Sequence, residues 1–178
     1  VPEPGTIFTI GHSTRPLAEL VALLREAGVA VLVDVRSVPR SRANPQFNTE
    51  TLAPALAAAG IAYRHLPALG GLRGRRRGAE ASRNTLWQVE AFRNYADYAL
   101  TAAFRAGLDA LVALAGERTA AIMCAEAVWW RCHRRIIADH LLARGIPVAH
   151  IMGPGKIVPA TLTPGARLAA EGGVVYPG

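Results

Sequence analysis

The sequence predicts an α/β fold: one three-layer domain spanning residues 1–178, with a mainly parallel sheet flanked by helices in the Rossmann-like manner. Three observations predict it. Short apolar runs rich in β-branched residues alternate with longer stretches of helical periodicity. Residues 6–37 read as strand, helix and strand, the pattern of a parallel pair joined by a right-handed crossover. The chemically unusual side chains gather where predicted strands end, which is where ligands bind in open parallel sheets.

Taken in chain order, "TIFTIGHS" (6–13) reads as a buried strand ending in Gly. In "PLAELVALLREAGV" (16–29), Leu17, Leu20, Val21 and Leu24 share one helical face, with Pro16 in the first turn and Gly28 as the stop. "AVLVDVRS" (30–37) is a second buried strand. A polar loop leads to a helix over Thr49–Ala59, with Asn48 as candidate cap and Gly60 beyond its end. "IAYRHLPAL" (61–69) is read as the third strand. A long helical stretch after Asn84 is expected to break near Gly107 into two helices. "TAAIMC" (119–124) is the fourth strand, a helix runs from Cys132 to Arg144, and "IPVAHIM" (146–152) is the fifth strand. From about residue 153 the chain is a Gly- and Pro-rich tail with no clear element.

Composition narrows the class of function. Hydrophobic residues make up 51% of the chain and charged ones 19%, and no apolar run reaches the length of a membrane span. The first residues carry no basic-then-apolar signal, and two cysteines do not make a secreted disulfide framework. A reduced, cytoplasmic protein without membrane attachment is expected. The net charge is +7. Nine arginines face only Glu50 and Glu80 between Arg36 and Arg83, so this segment alone accounts for the excess. A field so localised favours an anionic partner.

The candidate site is assembled from strand ends: His12 and Ser13 after the first, Asp34 and Arg36 after the second, and His65 near the end of the third. "CAEAVWWRCHRR" (124–135) adds Cys124, Glu126, Cys132, His133 and Arg134, and holds both cysteines of the chain. A strand-end cysteine facing a helix N-terminus gains from its N–H groups and dipole, which also suit a phosphate or oxyanion. Arg134 brings a planar donor fork to the same place, and Glu126 or His133 can move a proton. Plainer roles exist for each. His12 can cap the helix starting near Pro16, Asp34 can bind backbone amides in its own turn, and Cys124 can be a small buried hydrophobe. The spacing of the two cysteines is not that of a zinc site, and Cys132 and His133 point apart on a helix, so no metal is expected. A disulfide between the two remains an open alternative. The order cysteine, arginine, helix is similar to phosphatase and rhodanese loops. Here, however, the Cys124–Arg131 interval is one residue longer and holds the bulky pair Trp129-Trp130.

Four motifs, "TIGHS", "DVRSVPRSRANPQF", "LGGLR" and "CAEAVWWRCHRRIIADHL", occur in an order and spacing that resemble the family called domain of unknown function 488. The resemblance runs from about Thr9 to the tail. It implies an α/β domain with a suspected enzymatic site and no established reaction. The matching positions are His12 and Ser13 in the first motif, and Asp34, Arg36, Pro39, Ser41, Arg42, Asn44 and Phe47 in the second. Gly70 and Gly71 match in the third, and Cys124, Glu126, Cys132, His133 and Arg134 in the fourth. The run Arg75–Arg77 belongs to this chain rather than to the shared pattern.

Two functional readings follow. In the first, an enzyme acts on a phosphorylated or nucleotide-like anion. Catalytic candidates are Cys124, Glu126, Cys132, His133, His12 and Asp34. The anion is met by Ser13, Arg36, Arg42, Asn44, Gly70, Gly71 and Arg134. In the second, the arginine-rich 36–83 segment follows a nucleic-acid backbone, with Phe47 or Trp87 available for stacking. No particular cofactor is indicated.

Overall fold

The computed structural model describes residues 2–75, 78 and 80–178; Arg76 and Arg77 of the arginine run lie outside the described residues. A six-stranded sheet has the order β3-β2-β4-β1-β5-β6. Its strands are β1 (Ile7–Gly11), β2 (Val31–Asp34), β3 (Ala62–His65), β4 (Ala120–Cys124), β5 (Val148–Gly153) and β6 (Lys156–Pro159). All pairs are parallel except β5 with β6. The helices are α1 (Leu17–Glu26), α2 (Thr49–Ala58), α3 (Glu90–Tyr98), α4 (Ala102–Glu117) and α5 (Arg134–Ala143). This is a three-layer α/β architecture of Rossmann-like kind.

Parallel strands buried on both faces must be apolar throughout, and alternate side chains then serve opposite layers. Phe8, Ile10, Leu32 and Met123 pack with Leu20, Leu24, Leu52 and Leu56 of α1 and α2. Ile7, Val31, Val33, Ile122 and Cys124 pack with Tyr95, Phe104, Leu111 and Ile137 of α3, α4 and α5. One edge strand, β3, is partly exposed, and the other, β6, carries Lys156 and Pro159, features that discourage further pairing.

Several expectations need correction. β1 and β2 do not pair with each other. β4 enters between them, with Gly11 opposite Cys124 and Asp34 opposite Met123. The third strand ends at His65, because Leu66 and Pro67 turn the chain into a short 3₁₀ turn over Pro67–Leu69. The helical break falls between Tyr98 and Ala102, where Thr101 accepts a capping hydrogen bond from the Phe104 N–H (3.3 Å). Gly107 lies inside α4 instead. A Cβ there would press on Ala68 and Leu69, so glycine lets the helix sit against the 3₁₀ turn. Asn48 stands at the start of α2, but its side chain accepts from the Ser41 N–H (2.6 Å) rather than from the helix.

The tail is the largest correction. It forms β6 and a small hairpin, β7 (Arg167–Leu168) with β8 (Val174–Val175). It is pinned by Asp139 of α5, which accepts from the Thr163 N–H (2.9 Å), the Thr163 hydroxyl (2.6 Å) and the Tyr176 hydroxyl (2.7 Å). Burial raises the Asp139 carboxyl above its ordinary range, and Tyr176 is raised also, so the phenol stays a donor. Among the described residues no single helix is long and apolar enough to cross a membrane.

Candidate functional site at the carboxyl edge

The insertion of β4 sets the site. β1 and β2 lead into α1 and α2 on one face, whereas β4 leads into α5 on the other. The ends of β1, β4 and β2 therefore form the kind of switch point at which open α/β sheets bind ligands. His12 and Ser13 continue the pairing there, donating backbone N–H groups to the Cys124 carbonyl (2.9 Å) and the Ala125 carbonyl (3.0 Å). Ser13 has φ of +49°, a left-handed conformation that non-glycine residues adopt at a cost.

Two polar networks occupy this edge, one on each face. On the α1/α2 face, the Arg36 guanidinium grips Asp34 with two bonds, Nε to Oδ1 (2.9 Å) and Nη2 to Oδ2 (2.7 Å). Its Nη2 also donates to the Phe47 carbonyl (2.7 Å), and its Nη1 faces His12 Nε2 (3.4 Å). The Tyr63 hydroxyl completes Asp34 with a 2.6 Å bond, and burial and that carboxylate push its pKa up to about 12. His12 stacks on Phe47 at 4.4 Å and donates Nδ1–H to the Ser13 carbonyl (2.9 Å). Burial lowers its pKa, so the ring is neutral and Nε2 is the acceptor facing Arg36. His65 donates to the Arg36 carbonyl (2.7 Å).

On the α5 face, Arg134 is 1% exposed. Its Nε donates to Cys124 Sγ (3.0 Å), Nη1 to the Thr9 hydroxyl (3.1 Å) and Nη2 to the Glu126 carbonyl (2.8 Å). Among the described residues no carboxylate reaches it at ion-pair distance. Burial pulls its pKa down to about 10, opposed by the nearby Glu126 charge and aided by Arg15. Because Thr9 accepts from Arg134, it turns its own hydrogen to His150 Nδ1 (2.6 Å). His150 lies flat against Trp129 at 4.6 Å, and burial lowers its pKa to about 3. Gly11 makes room for this cluster, since a Cβ there would strike the Glu126 carbonyl and touch Arg134 Nη2.

His133 joins the two halves. Its Nε2 donates to the Val35 carbonyl (2.8 Å), leaving Nδ1 to face Cys132 Sγ at 3.5 Å. Burial lowers its pKa to about 4. A Cβ on Gly71 would collide with that ring, and one on Gly70 with Ser37. These glycines therefore let the 70–72 loop close over the edge, held by the Leu72 N–H on the Ser37 hydroxyl (2.8 Å). Cys132 Sγ also accepts from the Arg134 N–H (3.4 Å) at the start of α5.

His12, Asp34, Arg36, Cys124, Cys132, His133 and Arg134 thus meet at one edge, with Gly70 and Gly71 against them. Glu126 contributes its carbonyl, and its side chain is exposed. Arg42 is exposed, and Asn44 is fixed through its backbone to the Ser41 hydroxyl (3.0 Å). Neither enters the networks. Thr9, Tyr63, Trp129 and His150 belong to them and were not among the expected site residues. Polar Thr9 and His150 inside apolar strand sequences were the available signal, because a buried polar side chain needs a partner. Of the other arginines in the 36–83 segment, Arg40 and Arg83 pair with Glu50 and Glu171, and Arg73 lies over the Tyr98 ring at 3.8 Å.

Among the described residues no group of three or more His, Cys, Asp or Glu side chains is placed to hold a metal ion. A cavity of about 810 Å³ lies elsewhere, between the β5–β6 hairpin, the end of α1 and the amino-terminal segment. Its lining is mostly aliphatic, with Glu3 and Glu26, and includes no thiol or histidine.

No curated protein and no solved structure matches the chain. The family model described as Domain of unknown function DUF488 matches residues 16–141, which include Asp34, Arg36, Cys124, Cys132, His133 and Arg134 but not Thr9, His12, Ser13 or His150. The chain belongs to the DUF488 family.

Proposed function

We propose that the edge around β4 is the active site of an enzyme acting on a small anionic substrate, phosphorylated or nucleotide-like, with Cys124 as its thiol. One observation carries this reading: Arg134 is buried among neutral acceptors with the Cys124 sulfur 3.0 Å from Nε. A buried guanidinium needs a negative charge close by. The Cys124 thiolate is one such charge, and a substrate anion drawn to the same edge is a second. Arg15, which donates to the Gly11 and Met152 carbonyls and pairs with Glu19 (2.9 Å), lies near the same edge. The strained Ser13 backbone at the switch point supports the same location. Glu126, exposed beside Arg134, is the group suited to exchange protons with substrate. Asp34, Arg36 and His12 act as positioning residues, since their polar atoms are engaged with one another.

The test is protection from alkylation. Iodoacetamide labelling of Cys124 in the reduced chain should be slowed by inorganic phosphate, pyrophosphate or a nucleoside diphosphate, and not by an uncharged nucleoside. Equal labelling with and without every anion would remove the substrate class from this reading.

Nucleic acid is the second reading, supported by exposed Arg42, Arg64 and Arg75 on the 36–83 segment. Neutralising Z phosphates of duplex DNA gives a log–log salt slope of about −0.9Z. Binding here should be weak and indifferent to sequence. Tight, sequence-selective binding at physiological salt would put nucleic acid first.

A further inference from the structure

Cys124 ends β4 and Cys132 stands two residues before α5, on either side of the loop 125–131. Both are free and buried, 3% and 5% exposed. They converge on one residue. Arg134 Nε meets the first sulfur at 3.0 Å, and the Arg134 backbone N–H meets the second at 3.4 Å. The side chain and the backbone of one residue thus bring the two sulfurs to the same buried place. The environments differ in a useful way. Cys124 has a guanidinium, which favours the thiolate that attacks. Cys132 has a helix N-terminal N–H and the His133 Nδ1 lone pair, which orient a second thiol toward it.

We propose that Cys124 and Cys132 are a reversible thiol–disulfide pair that is closed by a small hydroperoxide, with Cys124 attacking and Cys132 resolving. In the first step the Cys124 thiolate attacks one peroxide oxygen and the O–O bond breaks. This leaves a sulfenic acid and releases the second oxygen, which takes a proton to become water. In the second step the Cys132 sulfur attacks the Cys124 sulfur and the S–O bond breaks. The departing oxygen leaves as water with the Cys132 thiol proton. Two thiols and one hydrogen peroxide become one disulfide and two waters. A dithiol reductant reverses the reaction by exchange. The near-complete burial of both sulfurs restricts the oxidant to small molecules. Closing the bond withdraws the thiol that the proposed reaction uses, so its effect on activity rests on the reading above. The disulfide itself does not.

The chain has only two cysteines, so the test is unambiguous. The reduced, full-length native protein is treated with hydrogen peroxide, quenched and denatured. Its free thiols are counted and its intact mass is measured. The expected result is loss of both thiols, a mass lower by two hydrogens, a 124–132 cross-linked peptide and full reversal by dithiothreitol. Cys132→Ser should instead leave a Cys124 sulfenic acid that dimedone traps. Two thiols surviving at peroxide levels that oxidise free cysteine would overturn the proposal. So would cross-linking between chains, or over-oxidation without the internal bond. These readouts need no substrate, so the disulfide can fail while anion protection of Cys124 holds, and the reverse.

Discussion

Arg36 and Arg134 lie at one edge of the sheet, on opposite faces, and both are almost wholly buried, yet their surroundings differ in kind. Arg36 is satisfied by a carboxylate, a carbonyl and a histidine nitrogen, so its charge is neutralised within the protein. Arg134 has a hydroxyl, a carbonyl and a thiol. Burial alone therefore does not mark function. What distinguishes the α5 face is a buried charge whose only ionisable neighbour within hydrogen-bond reach, among the described residues, is Cys124. The α1/α2 network holds the loop after β2 in place, and the α5 network is where the proposed chemistry is placed.

The largest expected effect tests what the two faces share, their neutral histidines. Burial lowers the pKa of His12, and takes His133 and His140 to about 4 and His150 to about 3, from 6.5. The unfolded chain therefore binds more protons than the native one below pH 6.5. Stability is fully present above that pH and falls as pH drops toward 4, by up to about 1.4 kcal/mol per pH unit for each ring. Urea unfolding from pH 7.5 to 4.5 reads this directly. A flat profile would mean that the rings are not held neutral.

Substitutions should then separate the two faces. Asp34→Ala strands a buried guanidinium and should cost about 3–5 kcal/mol. Arg134→Met removes a charge that no carboxylate pairs and fills its volume, so it should cost about 1–2 kcal/mol, from the acceptors it leaves bare. Equal losses in denaturant unfolding would erase the distinction. Gly11→Ala forces a methyl onto the Glu126 carbonyl and should cost about 1–3 kcal/mol. Away from both networks, Tyr176→Phe loses one hydrogen bond to Asp139 and should cost about 1 kcal/mol.

The two networks were unequally legible in the sequence. Strand and helix identities follow from apolar periodicity, and the convergence of Cys124, His12 and Arg36 follows from strand ends sharing one edge. Strand order is not written locally. β4 enters between β1 and β2 through contacts far apart in the chain, so the pairing read from residues 6–37 was misplaced. Gly107 looked like a helix breaker because propensity is local, while the close approach of Ala68 that requires glycine is tertiary. The tail looked featureless because its anchor is one buried carboxylate, Asp139, on a distant helix. Within the site, Cys124 was visible by its chemistry, whereas the role of Thr9 and His150 becomes clear once Thr9 is seen to link Arg134 to His150.

The pairing of Cys124 with Arg134 is tested most directly by the pH dependence of iodoacetamide labelling of Cys124 in native, reduced protein. A free thiol is labelled as it ionises near pH 8.5. In the wild-type chain, Cys124 labelling should reach half its maximal rate well below that pH. In Arg134→Met the midpoint should rise by about one to three pH units. Arg134→Lys, which keeps the charge without the fork, should fall between. Identical profiles in the wild type and Arg134→Met, in proteins shown to be folded, would mean that Arg134 does not hold a thiolate, and the α5 face would then be as closed as the other.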